Sequence, residues 1–297
     1  MTSGPLPNPP HSISPQPCPP LPPAGEGGER ESGEGANDAL RTPKPSNEVV
    51  VIGLGQLGRV FAGSLLRTGY TVVPVNRGDD MAALAQAHPT PQLVLVAVAE
   101  NDLHTVLATL PEIWKPRVAL MQNELLPRDW QAHGYVDPTV ISVWFEKKKG
   151  IDAKPLIASP AAGRGATLLC RALAAIDLPC REVEPGGELL FELVRKNVYI
   201  LTTNIAGLST GGTVAQLWAQ HQALARQVAN ELIDIQDVLT GVQHDRDALI
   251  AGMLEAFDGD PEHGCTGRSA PARLARALQH ADAFGLSVPT LRALSAR

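Results

Sequence analysis

The sequence predicts an α/β fold, a doubly wound parallel sheet followed by a smaller all-α domain. Three observations predict it. Short apolar, β-branched runs alternate with amphipathic stretches from residue 48 to about 185, as expected of a parallel sheet with helices on both faces. A glycine-rich turn, Gly53-Leu54-Gly55-Gln56-Leu57-Gly58, follows the first such run and opens the first amphipathic stretch. Beyond about 185 the strand-like runs fade and long helical patterns replace them.

The elements follow in order. Val49-Val50-Val51-Ile52 is a buried strand, and 59–68 is a helix with Val60, Phe61, Leu65 and Leu66 on its apolar face, ended by Gly69. A strand over 70–75, a helix over 81–88, a strand over 92–98, a helix over 102–110 and a strand over 117–121 continue the alternation. Later strands are expected at 139–145 and 156–159. Glu184-Pro185-Gly186-Gly187 reads as the turn between domains. Helices are then expected over 189–208, 213–239, 246–257 and 270–284. The chain divides into a Pro- and Gly-rich tail (1–46), a dinucleotide-binding domain (47–185) and a helical substrate and catalytic domain (186–297).

The tail holds twelve of the 26 prolines, in runs such as Cys18-Pro19-Pro20-Leu21-Pro22-Pro23. Such composition buries too little apolar surface to offset chain entropy, so disorder is expected. A polyproline ligand for an aromatic groove is the functional alternative. A translation start downstream of Met1 is also expected, because a strand of the Val49–Ile52 type normally lies close to a chain's start.

Net charge is −6 and the charges are dispersed, which argues against a nucleic-acid surface. The one basic run, Lys147-Lys148-Lys149, reads as a solvated loop. Cys18, Cys170, Cys180 and Cys265 show no CxxC spacing and read as unpaired thiols in a reducing compartment. No apolar run reaches the roughly 18 to 20 residues that span a bilayer. A cytoplasmic protein with no membrane partner is expected. His244-Asp245 with Asp247 lacks the further ligands that a metal site needs, so no metal is expected.

The glycine turn has the context of a Rossmann dinucleotide site: strand, loop, helix. Gly53 allows the tight turn, Gly55 lets backbone amides approach a pyrophosphate, and Gly58 lets helix pack on strand. The pyrophosphate would rest on the helix N-terminus. At the end of the second strand an NAD site usually carries an acid for the ribose 2′-hydroxyl; here the chain has Asn76-Arg77. A guanidinium suits a 2′-phosphate, so NADP is the expected cofactor. Asp79 and Asp80 follow closely, and either turning into the site would favour NAD.

A ketone reductase needs a group to protonate the developing alkoxide. The second domain offers Lys196 and Asn204, eight residues apart on a predicted helix, an offset of about 80° that lets both lean toward one cleft. Here the chain resembles the ketopantoate reductase family, within the 6-phosphogluconate-dehydrogenase-like reductases, from about Val49 to Leu294. The glycine loop and Asn76-Arg77 look like that family's NADP site. Gln122-Asn123 resembles its strand–Gln-Asn-Gly segment, whose asparagine lies near nicotinamide and substrate. Lys196 and Asn204 match the lysine and second asparagine of its Lys-x3-Asn-x3-Asn helix. Thr210-Gly211-Gly212-Thr213, Asn230-Glu231, Gly241 and the segment 281–294 are similar to later parts of the family. The resemblance implies Lys196 as general acid, with Asn123 and Asn204 as positioning groups.

The departures are specific. Ile200 stands for the helix's first asparagine, Glu124 for the strand-end glycine, and Ala99 for a lysine near the cofactor. No acid lies at Ser269-Ala270-Pro271, where the family's glutamate is expected. The expected substrate is therefore a small 2-oxo acid or related carbonyl compound other than ketopantoate, reduced by NADPH. Two alternatives stay open: a non-catalytic NAD(P)-binding sensor or assembly protein, and an NAD-dependent hydroxy or amino acid dehydrogenase. Arg268 could bind a carboxylate but reads better as a surface residue. His263 reads as a loop histidine and Glu231 as an inter-domain hydrogen-bonding group. Trp144 and Phe145 could line the cleft, with core packing the better reading. Apolar helix faces in the second domain would suit a homodimer.

Overall fold

The computed structural model describes residues 46–147, 150 and 152–296. The expectations for the proline-rich tail, for Cys18 and for Lys148 and Lys149 lie outside the described residues. The α/β half contains β1 (Glu48–Ile52), α1 (Gln56–Arg67), β2 (Thr71–Val75), α2 (Met81–Ala87), β3 (Leu93–Val96), α3 (Leu103–Thr109), β4 (Val118–Leu120), α4 (Pro127–Gln131) and β5 (Thr139–Ile141). It continues through β6 (Phe145–Glu146), β7 (Lys154–Pro155), β8 (Ser159–Ala162), α5 (Ala166–Ala174) and β9 (Cys180–Glu182). The helical half contains α6 (Gly187–Thr210), α7 (Val214–Thr240), α8 (Arg246–Gly259), α9 (Ala270–Phe284) and α10 (Pro289–Ser295).

The main sheet has the order β2-β1-β3-β4-β5-β8-β9. It is parallel except where β5 meets β8. Both faces are buried, which explains the unbroken apolar runs. Val49 and Val51 of β1 pack with Phe61 and Leu65 of α1 and Leu169 and Leu173 of α5. Val50 and Ile52 pack on the other face with Leu103 and Leu107 of α3. Pro74 is tolerated in β2 because that strand is an edge, where a missing N–H breaks no ladder. This is a Rossmann-like sheet with a helical region after it.

The predicted strand over 139–145 is broken in two. After Ile141 the Ser142 amide donates to the Pro160 carbonyl and the Trp144 amide to Ser159 Oγ, at 2.9 Å each. Phe145–Glu146 then pairs with β7 as a separate ribbon. The strand expected at 156–159 lies instead at Ser159–Ala162. Its residues carry no β-branched signal, and pairing with β5 and β9 makes it a strand.

The cysteine expectation is corrected for one pair. Cys170 on α5 and Cys180 on β9 form a disulfide, with Cα atoms 4.9 Å apart. The chain reverses between them: the Leu178 amide donates to Leu173, and Asp177 takes a left-handed φ of 59°. That reversal, invisible in the spacing, brings the thiols together. Cys265 remains a free, buried thiol.

In the helical half, α6 is central, packed against α7, α8, α9 and α10 and also against β8. Most of its length is therefore buried, including Lys196, Asn197 and Asn204. Glu231 of α7 accepts hydrogen bonds from the Thr290 and Leu291 amides, at 2.8 and 2.9 Å, and so caps α10. This corrects its expected inter-domain role: both partners are helical-half residues. Among the described residues no helix is long and apolar enough to cross a membrane.

Candidate active site

Strand order reverses between β1 and β3, so a crevice opens at their carboxyl ends. Gly53 sits there with φ +91°, its amide donating to the Val75 carbonyl at 2.9 Å. A Cβ on Gly53 would lie 2.9 Å from the Ala97 carbonyl oxygen, and one on Gly58 would collide with the Gly53 carbonyl. Gly55 faces open space. It is the N-cap of α1, whose first turn carries no acid and no side-chain cap. The first-turn amides and the helix dipole thus favour an anion in front of them. Leu54 accepts from Arg59 through its carbonyl, and Gln56 is exposed at the start of α1.

A cavity of about 540 Å³ extends from this turn, lined by Gly53, Gly55, Asn76, Arg77, Asp79 and Thr105 among others. The cradle and the cavity fit a dinucleotide. The Arg77 side chain is 93% exposed and pairs with Asp102 at 3.3 Å. Asp79 also lines the cavity, its carboxylate accepting from the Asn76 amide at 2.7 Å. Asp80 is occupied elsewhere, capping α2 through the Ala82 and Ala83 amides.

A second cavity of about 240 Å³ shares Gly55, Ala97, Val98 and Ala99 with the first and adds Leu57, Gln122 and Asn123. Gln122 is buried and ties strand ends together, donating to the carbonyls of Val96 and Val98. A third, of about 350 Å³, shares Leu57, Met121 and Asn123 with the second, and takes in Lys196, Ile200, Asn204 and Arg273. The predicted trio Asn123, Lys196 and Asn204 therefore meets at one cavity, contiguous with the glycine turn.

Lys196 is buried, its ammonium 4.2 Å from the Trp144 ring centroid and 5.4 Å from that of Tyr199. The aromatic faces supply a weak cation partner. Burial, with the Arg273 charge adding to it, lowers the Lys196 pKa to about 7. Among the described residues no carboxylate offsets this shift. Trp144 is fully buried in the helical core, whereas Phe145 lines the cavity.

The residues that sequence reasoning missed are Glu100, Glu124, Arg273 and Arg276. Arg273 Nη1 donates to Asn204 Oδ1 at 2.8 Å, Nε to Glu124 at 3.0 Å and Nη2 to Glu100 at 3.2 Å. Asn123 donates to the same Glu100 oxygen at 3.1 Å. Arg276 donates to Glu124. Glu124 has φ +61°, a conformation costing a non-glycine residue roughly 1–2 kcal/mol; its two arginine partners offset that cost. Arg273 is thus cross-linked to the segments that follow β3 and β4. Arg273 reads in sequence as the polar face of an ordinary helix. Arg268, the sequence candidate for a carboxylate, is exposed and outside the cavity wall.

The remaining candidates are placed as follows. His263 lines the cavity, with Nδ1 3.8 Å from Glu146 and 3.9 Å from Asp260. His244 bonds to Asp237 at 2.8 Å, and Asp245 caps α8. Ile200 is an apolar wall of the third cavity, and Ala99 lines the first two.

No protein-family model matches the chain, and no curated protein matches it in sequence. Solved structures do. The 2-dehydropantoate 2-reductase of Methylococcus capsulatus superposes with a TM-score of 0.62 at 14% identity, covering 84% of this chain and 94% of that one. A dimeric ketopantoate reductase from Staphylococcus aureus gives 0.58 at 15% identity, covering 84% and 96%. D-mandelate dehydrogenase, in a complex with NADH and anilino(oxo)acetate, gives 0.57 at 15% identity, with the same coverage. The chain has the fold shared by ketopantoate reductases and D-mandelate dehydrogenase.

Proposed function

We propose that the chain is a divergent member of the ketopantoate reductase family that reduces a small 2-oxo acid or related carbonyl compound with NADPH. The observation that carries the reading is a buried lysine, tuned to about 7, in a cavity contiguous with a glycine-loop cradle. Residues 47–185 form the dinucleotide domain and 186–297 the catalytic one. The Gly53–Gly58 turn holds the pyrophosphate on its amides, and Arg77 pairs with the 2′-phosphate. When bound, the nicotinamide supplies the hydride.

The chain's own residues do the rest. Lys196 donates a proton to the carbonyl oxygen as negative charge develops there. Its near-neutral pKa suits an acid working near pH 7, and its dry surroundings strengthen the interaction. Asn123 and Asn204, joined through Glu100 and Arg273, position the substrate. Ile200 presents a methyl-rich surface where a hydroxylated substrate would need a partner, which supports a substrate other than ketopantoate. A homodimer is consistent with the dimeric Staphylococcus aureus neighbour.

The test is NADPH oxidation against a panel of 2-oxo acids, with Lys196→Ala alongside. Loss of kcat/KM by about 10³-fold is expected, with cofactor affinity unchanged within twofold to threefold. Equal kcat/KM in the two proteins overturns the role of Lys196. Asp79 favours a second reading, NAD as cofactor, because its carboxylate stands in the cavity where a ribose 2′-hydroxyl would bind. Competition between the coenzymes decides: NADP preference vanishing in Arg77→Ala supports the first reading, and NADP preference appearing only in Asp79→Ala supports the second.

A further inference from the structure

Arg273 has no task in the proposed reduction. A guanidinium has five N–H donors. Nε binds Glu124, one Nη1 proton binds Asn204 and one Nη2 proton binds Glu100. One N–H on each terminal nitrogen remains, and the residue lines the cavity that holds Lys196. The side chain is only 7% exposed. The three bonds fix the plane of the guanidinium, so little rotamer entropy is left to lose when an anion docks. The charges fit as well. Glu100 and Glu124 pair with Arg273 and Arg276, and the cavity wall also carries Lys196, Lys147 and Glu146, so the cationic side chains outnumber the carboxylates. The wall also carries an apolar patch, Leu57, Met121, Val143 and Phe145, beside the polar Glu146, Lys147 and His263.

We propose that Arg273 binds the carboxylate of the substrate through its two remaining terminal N–H groups, with Glu100 and Glu124 as positioning residues, and that the site selects 2-oxo acids with apolar substituents. The carboxylate end lies on Arg273, the carbonyl oxygen faces Lys196, and the substituent packs on the apolar wall. This deepens the reductase reading and rests on it for the identity of the carbonyl group. The carboxylate site itself requires only binding.

The experiment is calorimetric titration of the full chain, loaded with NADPH, by two isosteric probes: oxamate, which carries a carboxylate, and oxamide, which is neutral. Wild type is expected to prefer oxamate. Arg273→Leu should weaken oxamate by about 100-fold, the size of a buried bidentate charged pair, and move oxamide by less than threefold. Arg273→Lys, which keeps the charge and loses the fork, should weaken oxamate by about tenfold. It also serves as the deciding variant if Arg273→Leu does not fold. Wild type binding both probes equally, Arg273→Leu binding oxamate as wild type does, or both probes weakening in parallel, overturns the proposal. Oxamate binding through Arg273, with no NADPH oxidation by any 2-oxo acid of the panel, would instead sink the reductase reading and leave the carboxylate site standing. For the substituent, kcat/KM for phenylglyoxylate should exceed that for 2-oxoglutarate by at least tenfold; the reverse order overturns that part.

Discussion

The two halves of the site are built from different material. Between β1 and α1 the recognition surface is backbone: glycines where a Cβ would clash, and amides at a helix end. Around Lys196 it is side chains, drawn from the ends of β3 and β4 and from α6 and α9. The first surface needs one short segment with correct spacing. The second needs several distant segments to arrive together, so it can change its chemistry while the fold persists.

Experiments can separate the backbone half of the site from the side-chain half. The largest effect on cofactor binding should come from Gly58→Val. A Cβ there collides with the Gly53 carbonyl, so the turn must open and NADPH affinity should fall by about two orders of magnitude. Fluorescence titration measures it. Unaltered affinity would mean that the cradle is not the phosphate site.

A pH profile probes the other half. If Lys196 is the proton donor, kcat/KM should be flat at acid pH and fall about tenfold per unit above its pKa, which burial sets near 7. A profile level to pH 9 would remove the lysine from the chemistry.

The smallest effect is on stability. The Lys196 pKa is lowered from 10.5 to about 7 on folding. Between those values the unfolded chain binds more protons, so stability rises with pH across that window. At pH 7 the buried lysine destabilises the fold, and Lys196→Met should raise Tm by a few degrees while abolishing turnover. A lower Tm in that variant would show that the ammonium has a stabilising partner after all.

Much of this was legible in residue order. The first five parallel strands came from apolar runs, because a strand covered on both faces has no polar side to interrupt it. The long helices α6 to α9 came from their periodicity. The glycine turn came from spacing alone, and the eight-residue step from Lys196 to Asn204 set both on one cavity. The strand β9 and the helices α4 and α5 leave no clear local signal, and β8 lies three residues beyond its expected place, since weak local preference is completed there by neighbours. The Cys170–Cys180 bond was missed because a chain reversal, not a motif, creates it.

The backbone chemistry is local: a glycine's freedom and a helix end are properties of a few consecutive residues. The side-chain chemistry arises only on folding. The contact of Arg273 with Glu100 spans 173 positions and that with Asn204 spans 69. Lys196 acquires its near-neutral pKa from burial beside Arg273, which no local pattern encodes. Such groups are defined by surroundings that exist only once the chain has closed on itself.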